Sequence, residues 1–208
     1  MASSAPSSSA SSTPTTPTGE RILDVALQQF GTRGYAATSL DAIAAELGVR
    51  KQTVLYWYPS KQALLDAVIE RSAAELQVTL DAAIDSAGEG LARVDAVMRA
   101  VFRFAVRRPA LLGLLREVGR LGEAPAVDLG ARVQPLVARA TEFLAAEMDA
   151  GRVRRCDPRL LLLFTYSAVV GVATDVEAQR VLGIDPSVAT LARLRRELFA
   201  FLRAALAP

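Results

Sequence analysis

Arg50, Lys51, Gln52 and Thr53 stand side by side, and Tyr56, Trp57, Tyr58 and Lys61 follow within the next eight residues. These residue types read and hold nucleic acid. Arginine and lysine suit the acceptor edge of guanine, glutamine suits adenine, and threonine serves a phosphate or a thymine methyl. A lysine at the start of a helix, beside free backbone N–H groups, grips a phosphate. The two lysines of the chain, 51 and 61, both lie here, and no acidic residue occurs from Leu47 to Leu65. The positive charge is therefore local. Over all 208 residues, 24 basic and 22 acidic side chains leave a net charge of only +2.

Other chemistries are excluded by residue counts. There is no His and a single Cys, Cys156. An internal disulfide is impossible. Zinc sites built on N/S ligands and nucleophile systems that need histidine are absent too. An acid–base site would have to use Asp, Glu, Lys or Tyr, and no paired carboxylates are placed for one. We expect no catalytic residue, no metal and no cofactor. Cys156 follows Arg152, Arg154 and Arg155, which can lower a thiol pKa, but it has no resolving partner in the chain.

The elements that must position the basic cluster are helices. Ala, Leu, Arg and Glu dominate, and no segment alternates as a strand would. Punctuation by Gly and Pro divides the chain into nine expected helices. They span about 20–33, 40–47, 51–57, 60–86, 91–107, 110–120, 127–150, 159–182 and 186–206. Pro135 should kink or split the seventh. Pro186 should open the ninth behind Asp185 as N-cap. Residues 39–57 read as a helix-turn-helix whose turn is Leu47-Gly48-Val49-Arg50, where Gly48 can adopt positive φ. In that motif the second helix presents its N-terminal residues to the major groove. Leu40, Ile43, Leu47 and Val54 can pack beneath Phe30 and Tyr35. An ordinary αα corner would show the same turn, and the polar content of the second helix favours DNA.

Residues 1–18 carry no charge and consist almost wholly of Ser, Thr, Ala and Pro. This composition reads as a disordered tail, not a signal peptide. The most apolar run, Leu160 to Thr174, is shorter than a membrane span. No membrane contact is expected, and the chain reads as cytoplasmic.

The stretch from 20 to 66 resembles the DNA-binding domain of TetR-family repressors. The carrying residues are Ala26, Phe30, Gly34, Tyr35, Thr38, Ser39, Ile43, Ala44, Gly48, Val49, the run from Lys51 through Lys61, and Leu64 and Leu65. Length and helix layout fit the family over the rest. The resemblance implies an all-α fold with a three-helix head at 19–60 and a ligand-binding and dimerisation body at 61–208. It implies a dimer on double-stranded operator DNA, released when a small molecule enters the body. Thr38, Ser39, Arg50, Lys51, Gln52, Thr53, Tyr56, Trp57 and Lys61 become the expected DNA contacts. Leu55 stands where the family usually has a DNA-contacting Tyr, with Tyr56 one position later. Arg50 replaces a common small polar residue and adds a phosphate or guanine contact.

The body carries two further expectations. Leu191, Leu194, Leu198, Phe201 and Ala205 form an a/d-like stripe, and the eighth helix is apolar all round. The resemblance pairs these last two helices across a homodimer, with Tyr166, Val170, Leu191, Leu194, Leu198 and Phe201 at the interface. Met98, Phe102, Leu115, Phe143, Tyr166 and Thr174 are candidates for a hydrophobic effector site, with core packing as the alternative role. The Arg group at 103, 107, 108, 116 and 120 could meet a carboxylate or phosphate, or form a solvated face. The rival from another class is a small-molecule-binding or helical interaction protein whose head no longer binds DNA. The intact cluster from Arg50 to Lys61 argues against it.

Overall fold

The computed structural model describes residues 18–118, 123–185 and 187–208. The tail expected to be disordered lies outside them, apart from Thr18. Among the described residues every regular element is a helix: α1 (Thr18–Arg33), α2 (Leu40–Leu47), α3 (Lys51–Trp57), α4 (Lys61–Ser86), α5 (Leu91–Arg107), α6 (Pro109–Val118), α7 (Glu123–Asp149), α8 (Pro158–Thr174), α9 (Val176–Val181) and α10 (Val188–Leu206). The all-α expectation holds, with ten helices in place of nine. The extra one comes from Asp175, whose carboxylate accepts from Ala178 N and starts α9 where one long helix was expected. Ser187, not Asp185, caps the last helix by accepting from Thr190 N. Pro135 lies within α7 without dividing it into two helices.

The head core forms because α1 repeats apolar residues every four positions. Ile22, Ala26 and Phe30 are fully buried, and they meet Ile43, Ala44 and Val54 from α2 and α3. Gln29, the polar interruption of that pattern, is also buried. Its amide donates to Glu46 at 2.7 Å and to the Ala42 carbonyl at 3.3 Å, which staples α1 to α2.

The head core does not stop at residue 60. Leu64, Leu65 and Val68 of α4 and Ala110, Leu111 and Leu114 of α6 belong to the same cluster. At the α1–α6 crossing the backbones touch. A Cβ on Gly31 would lie 2.0 Å from the Ala110 oxygen, and one on Gly113 would lie 2.2 Å from the Gly31 oxygen. Two glycines are what permits this approach. Leu112, on another face of α6, packs instead with Phe102, Ala105 and Val169 of the body. One short helix is thus shared by two cores.

The rest of the body packs α5, α7, α8 and α10 around Val94, Met98, Leu144, Met148, Leu202 and Leu206. A buried carboxylate fastens one end. Glu147, 2% exposed, accepts from Arg152 Nε at 2.8 Å, Arg152 Nη2 at 3.1 Å, Arg93 Nη1 at 3.4 Å and Gly90 N at 3.1 Å. The hydrogen bonds from Arg152 contribute most to holding its pKa below the usual carboxylate range, against the opposing cost of burial. No described helix is long and apolar enough to cross a membrane.

Candidate nucleic-acid interface

Ser39 starts α2 as its N-cap, with Oγ accepting from Ala42 N at 3.1 Å. That bond uses a lone pair and leaves the hydroxyl proton free to donate to a phosphate. Gly48 ends α2 at φ 69°, with its N–H on Ala45 O and the Val49 N–H on Ala44 O. A Cβ there would meet nothing within 4 Å, so the glycine is required by backbone conformation and not by space. The chain re-enters helix at Lys51, and Val54 alone of α3 is buried outright.

That anchoring leaves one side of α3 outside. Arg50, Lys51 and Gln52 are exposed, Tyr56 is 84% exposed and Trp57 is 46% exposed. The side chains of Arg50 and Gln52 make no hydrogen bond or ion pair among the described residues. Leu55 packs against the head core while Tyr56 points out. The solvent-facing tyrosine of this helix is therefore one position later than the family pattern. Trp57 is held by α1, since a Cβ on Gly19 would come within 2.8 Å of its ring. Tyr58 donates its hydroxyl to the Gly19 carbonyl at 3.2 Å.

Two lysines frame this surface. Lys51 Nζ lies 2.8 Å from Asp41 Oδ2, an exposed pair that adds little stability and is easily exchanged for phosphate. Lys61 Nζ donates to the Ala36 carbonyl at 3.3 Å and sits 4.3 Å from the centre of the Tyr35 ring. Partial burial lowers its pKa from the ordinary lysine value. Its ammonium is thus held in place beside the turn that precedes α2. Thr38 is placed differently. It is 2% exposed, and its hydroxyl donates to the Gly34 carbonyl at 2.9 Å, closing the turn between α1 and α2. Thr53 is half-buried. The structure therefore gathers Ser39, Arg50, Lys51, Gln52, Tyr56, Trp57 and Lys61 at the surface and takes Thr38 into the fold.

The expected effector residues do not form one set. Met98 and Phe143 line an apolar pocket of about 90 Å³ between α5, α7, α8 and α10. Phe102 lies behind it, in edge-to-face contact with the lining residue Phe199 at 5.8 Å. Leu115 packs on the head core instead, and Tyr166 is 48% exposed. The Thr174 side chain lies outside the described residues. Phe199, Leu202 and Leu206 of α10 complete the lining and were missed by the sequence reading. Their 3–4 residue spacing was the available signal, hidden because α10 was read for one stripe and carries two.

The expected interface residues divide in the same way. Leu191 and Leu198 pack within the chain, Val170 packs beside them, and Leu194 is half-buried. Tyr166 and Phe201 face outward, and Phe201 is 70% exposed. Beside them on α8, Leu160, Leu163 and Phe164 are 49%, 54% and 62% exposed.

Residues 22–68 match the model of the bacterial regulatory proteins of the tetR family. The uncharacterised helix-turn-helix-type transcriptional regulator YhgD of Bacillus subtilis is 20% identical over 76% of this chain and 83% of its own length. Among solved structures, the regulator FadR of Bacillus subtilis in complex with stearoyl-CoA superposes with a TM-score of 0.75, at 14% identity, over 89% of this chain and 98% of that one. AibR in complex with isovaleryl coenzyme A and operator DNA superposes at 0.70, at 19% identity, over 88% and 96%. Residues 22–68 thus carry the head of the tetR family of bacterial regulatory proteins, and the chain as a whole has the fold of these solved regulators.

Proposed function

We propose that the chain is a ligand-responsive repressor that binds operator DNA as a homodimer through α8 and α10. The observation that carries this reading is the uncommitted face of α3. Arg50 and Gln52 stand exposed and unpaired on a helix anchored from beneath by Val54 and flanked by Lys51 and Lys61. Arg50 and Gln52 read base edges. Ser39, Lys51, Trp57 and Lys61 hold phosphates. Outward Leu160, Leu163 and Phe164, spaced three and four residues apart on one face of α8, and outward Phe201 of α10 favour a partner subunit, because large apolar side chains exposed in this way gain from burial.

The effector in this reading is a hydrophobic molecule that enters beside Met98 and Phe143. Stearoyl-CoA and isovaleryl coenzyme A in the two similar folds support an acyl thioester. A pocket of about 90 Å³ is small for such a chain, so entry must part α5 from α8 and α10. The displacement has a direct route to the head. It passes from α5 into α6, and α6 is locked on α1 at Gly31 and Gly113. Alongside α4, which leads out of the head, α6 is thus a second coupling element. A differential affinity of about 1–3 kcal/mol would be an ordinary strength for such coupling.

Fluorescence anisotropy on DNA flanking the gene tests the reading. Gln52→Ala should cost on the order of 1–3 kcal/mol on the operator and little on random sequence. Absence of binding at low salt, or equal losses on both DNAs, refutes it.

A further inference from the structure

A second cavity lies on the other side of α5 from the apolar pocket. It is a groove of about 550 Å³ between α4 and α5, within the usual size range of small-molecule sites. Its base is apolar, with Ala74, Val78, Ala100 and Phe104. Val78 is 69% exposed, so its side chain is accessible from the groove. Around this base stand four guanidinium groups, on Arg71, Arg103, Arg107 and Arg108, and one carboxylate, Glu75.

Two of the four arginines are already engaged. Arg71 reaches Asp24 at 2.7 Å, and its Nε lies 3.8 Å from Glu75. Arg108 pairs with the other oxygen of Glu75 and lies 5.1 Å from the centre of the Phe104 ring. Arg103 and Arg107 are different. They are exposed, sit four residues apart on one face of α5, and make no ion pair among the described residues. Like charges at this spacing repel, and Glu75, the carboxylate of the groove lining, is already engaged by Arg71 and Arg108. Two adjacent forked donors over an apolar floor match a planar or tetrahedral oxyanion attached to an apolar body.

We propose that this groove is a ligand site separate from the apolar pocket, and that it takes an organic anion. Its phosphate or carboxylate lies between Arg103 and Arg107, and its ring or chain lies on Val78 and Phe104. The proposal goes beyond the DNA-binding reading and does not depend on it.

The test uses the full-length protein and 8-anilinonaphthalene-1-sulfonate, an aromatic anion whose fluorescence rises on binding. Wild-type protein should bind it saturably. The double variant Arg103→Ala/Arg107→Ala should weaken binding at least tenfold, and Val78→Asp, which sets a carboxylate on the floor, should do the same. Arg193→Ala/Arg196→Ala removes equal charge from exposed positions on α10 and should leave the affinity unchanged. Phenyl phosphate and phenylacetate should compete, and the stronger competitor identifies the preferred oxyanion. Equal losses in the two double variants would show nonspecific charge attraction. No loss in the first would place the dye elsewhere. Failure of both competitors would show that the anion is not recognised. Any of these overturns the proposal.

Discussion

Gly31→Ala is a substitution that helix propensity and tertiary packing judge with opposite signs. Gly31 is inside α1, and alanine there should gain about 1 kcal/mol by propensity. The crossing with α6 reverses this. The new Cβ would lie 2.0 Å from the Ala110 oxygen, 2.6 Å from its carbonyl carbon and 2.7 Å from its Cα. Ordinary contact begins at 3.4 Å, so α6 must retreat by about 1.4 Å. All three atoms are backbone, and no rotamer change relieves them. Overpacking of this kind costs up to about 3 kcal/mol, so the expected net loss is near 2 kcal/mol. At roughly 2–4 °C per kcal/mol, Tm should fall by about 4–8 °C. Gly130→Ala is the control, since Gly130 is exposed in α7 and its Cβ would meet nothing within 4 Å. That variant should gain about 0.5–1 kcal/mol. Denaturant midpoints at equal protein concentration measure both, because association shifts apparent stability. A Gly31→Ala protein as stable as wild type would show that the α1–α6 contact is not as close as described.

Other perturbations probe separate parts of the molecule. Lys61→Ala should weaken binding to every DNA sequence alike and reduce the salt slope by about 1; an unchanged slope would remove Lys61 from the phosphate contacts. Phe201→Glu should turn a dimer into monomers in sedimentation and abolish tight operator binding, whereas an unaltered dimer would place the interface away from α10. Glu147→Gln should cost about 1.5–3 kcal/mol at neutral pH, since it weakens charged hydrogen bonds to Arg152 and Arg93. The folded-state pKa of Glu147 is lowered, so wild type holds this advantage above the unfolded value of about 4.3 and loses it as pH falls through the folded value. The two proteins should therefore converge in acid, and a difference that persists there would assign it to packing.

The division between sequence and tertiary structure follows the range of the interactions. Helical character, the turn at Gly48 and the basic run from Arg50 to Lys61 are local properties. Propensity, positive φ and charge are set by a residue and its near neighbours, so all three were legible in order along the chain. The solvent face of α3 was partly legible. Tyr56 stood out as an aromatic, but burial of Leu55 depended on the core beneath it. Thr38 reads as a polar surface residue, and the Gly34 carbonyl that consumes its hydroxyl is available only once the turn has closed. The body was less legible still. Every helix there is rich in Ala and Leu, and an apolar stripe does not name its partner. Phe199 and Leu202 faced the pocket while Phe201, between them, faced out, because a helix turns about 100° per residue and neighbours from α5 and α8 covered only some of its faces. The Gly31–Gly113 contact brings together residues 82 positions apart, and neither glycine reveals in sequence that its missing Cβ makes room for another backbone. Sequence determined what could touch DNA. Only the packing of α6 across two cores decided how the body is joined to that surface, because that joint consists of space left empty.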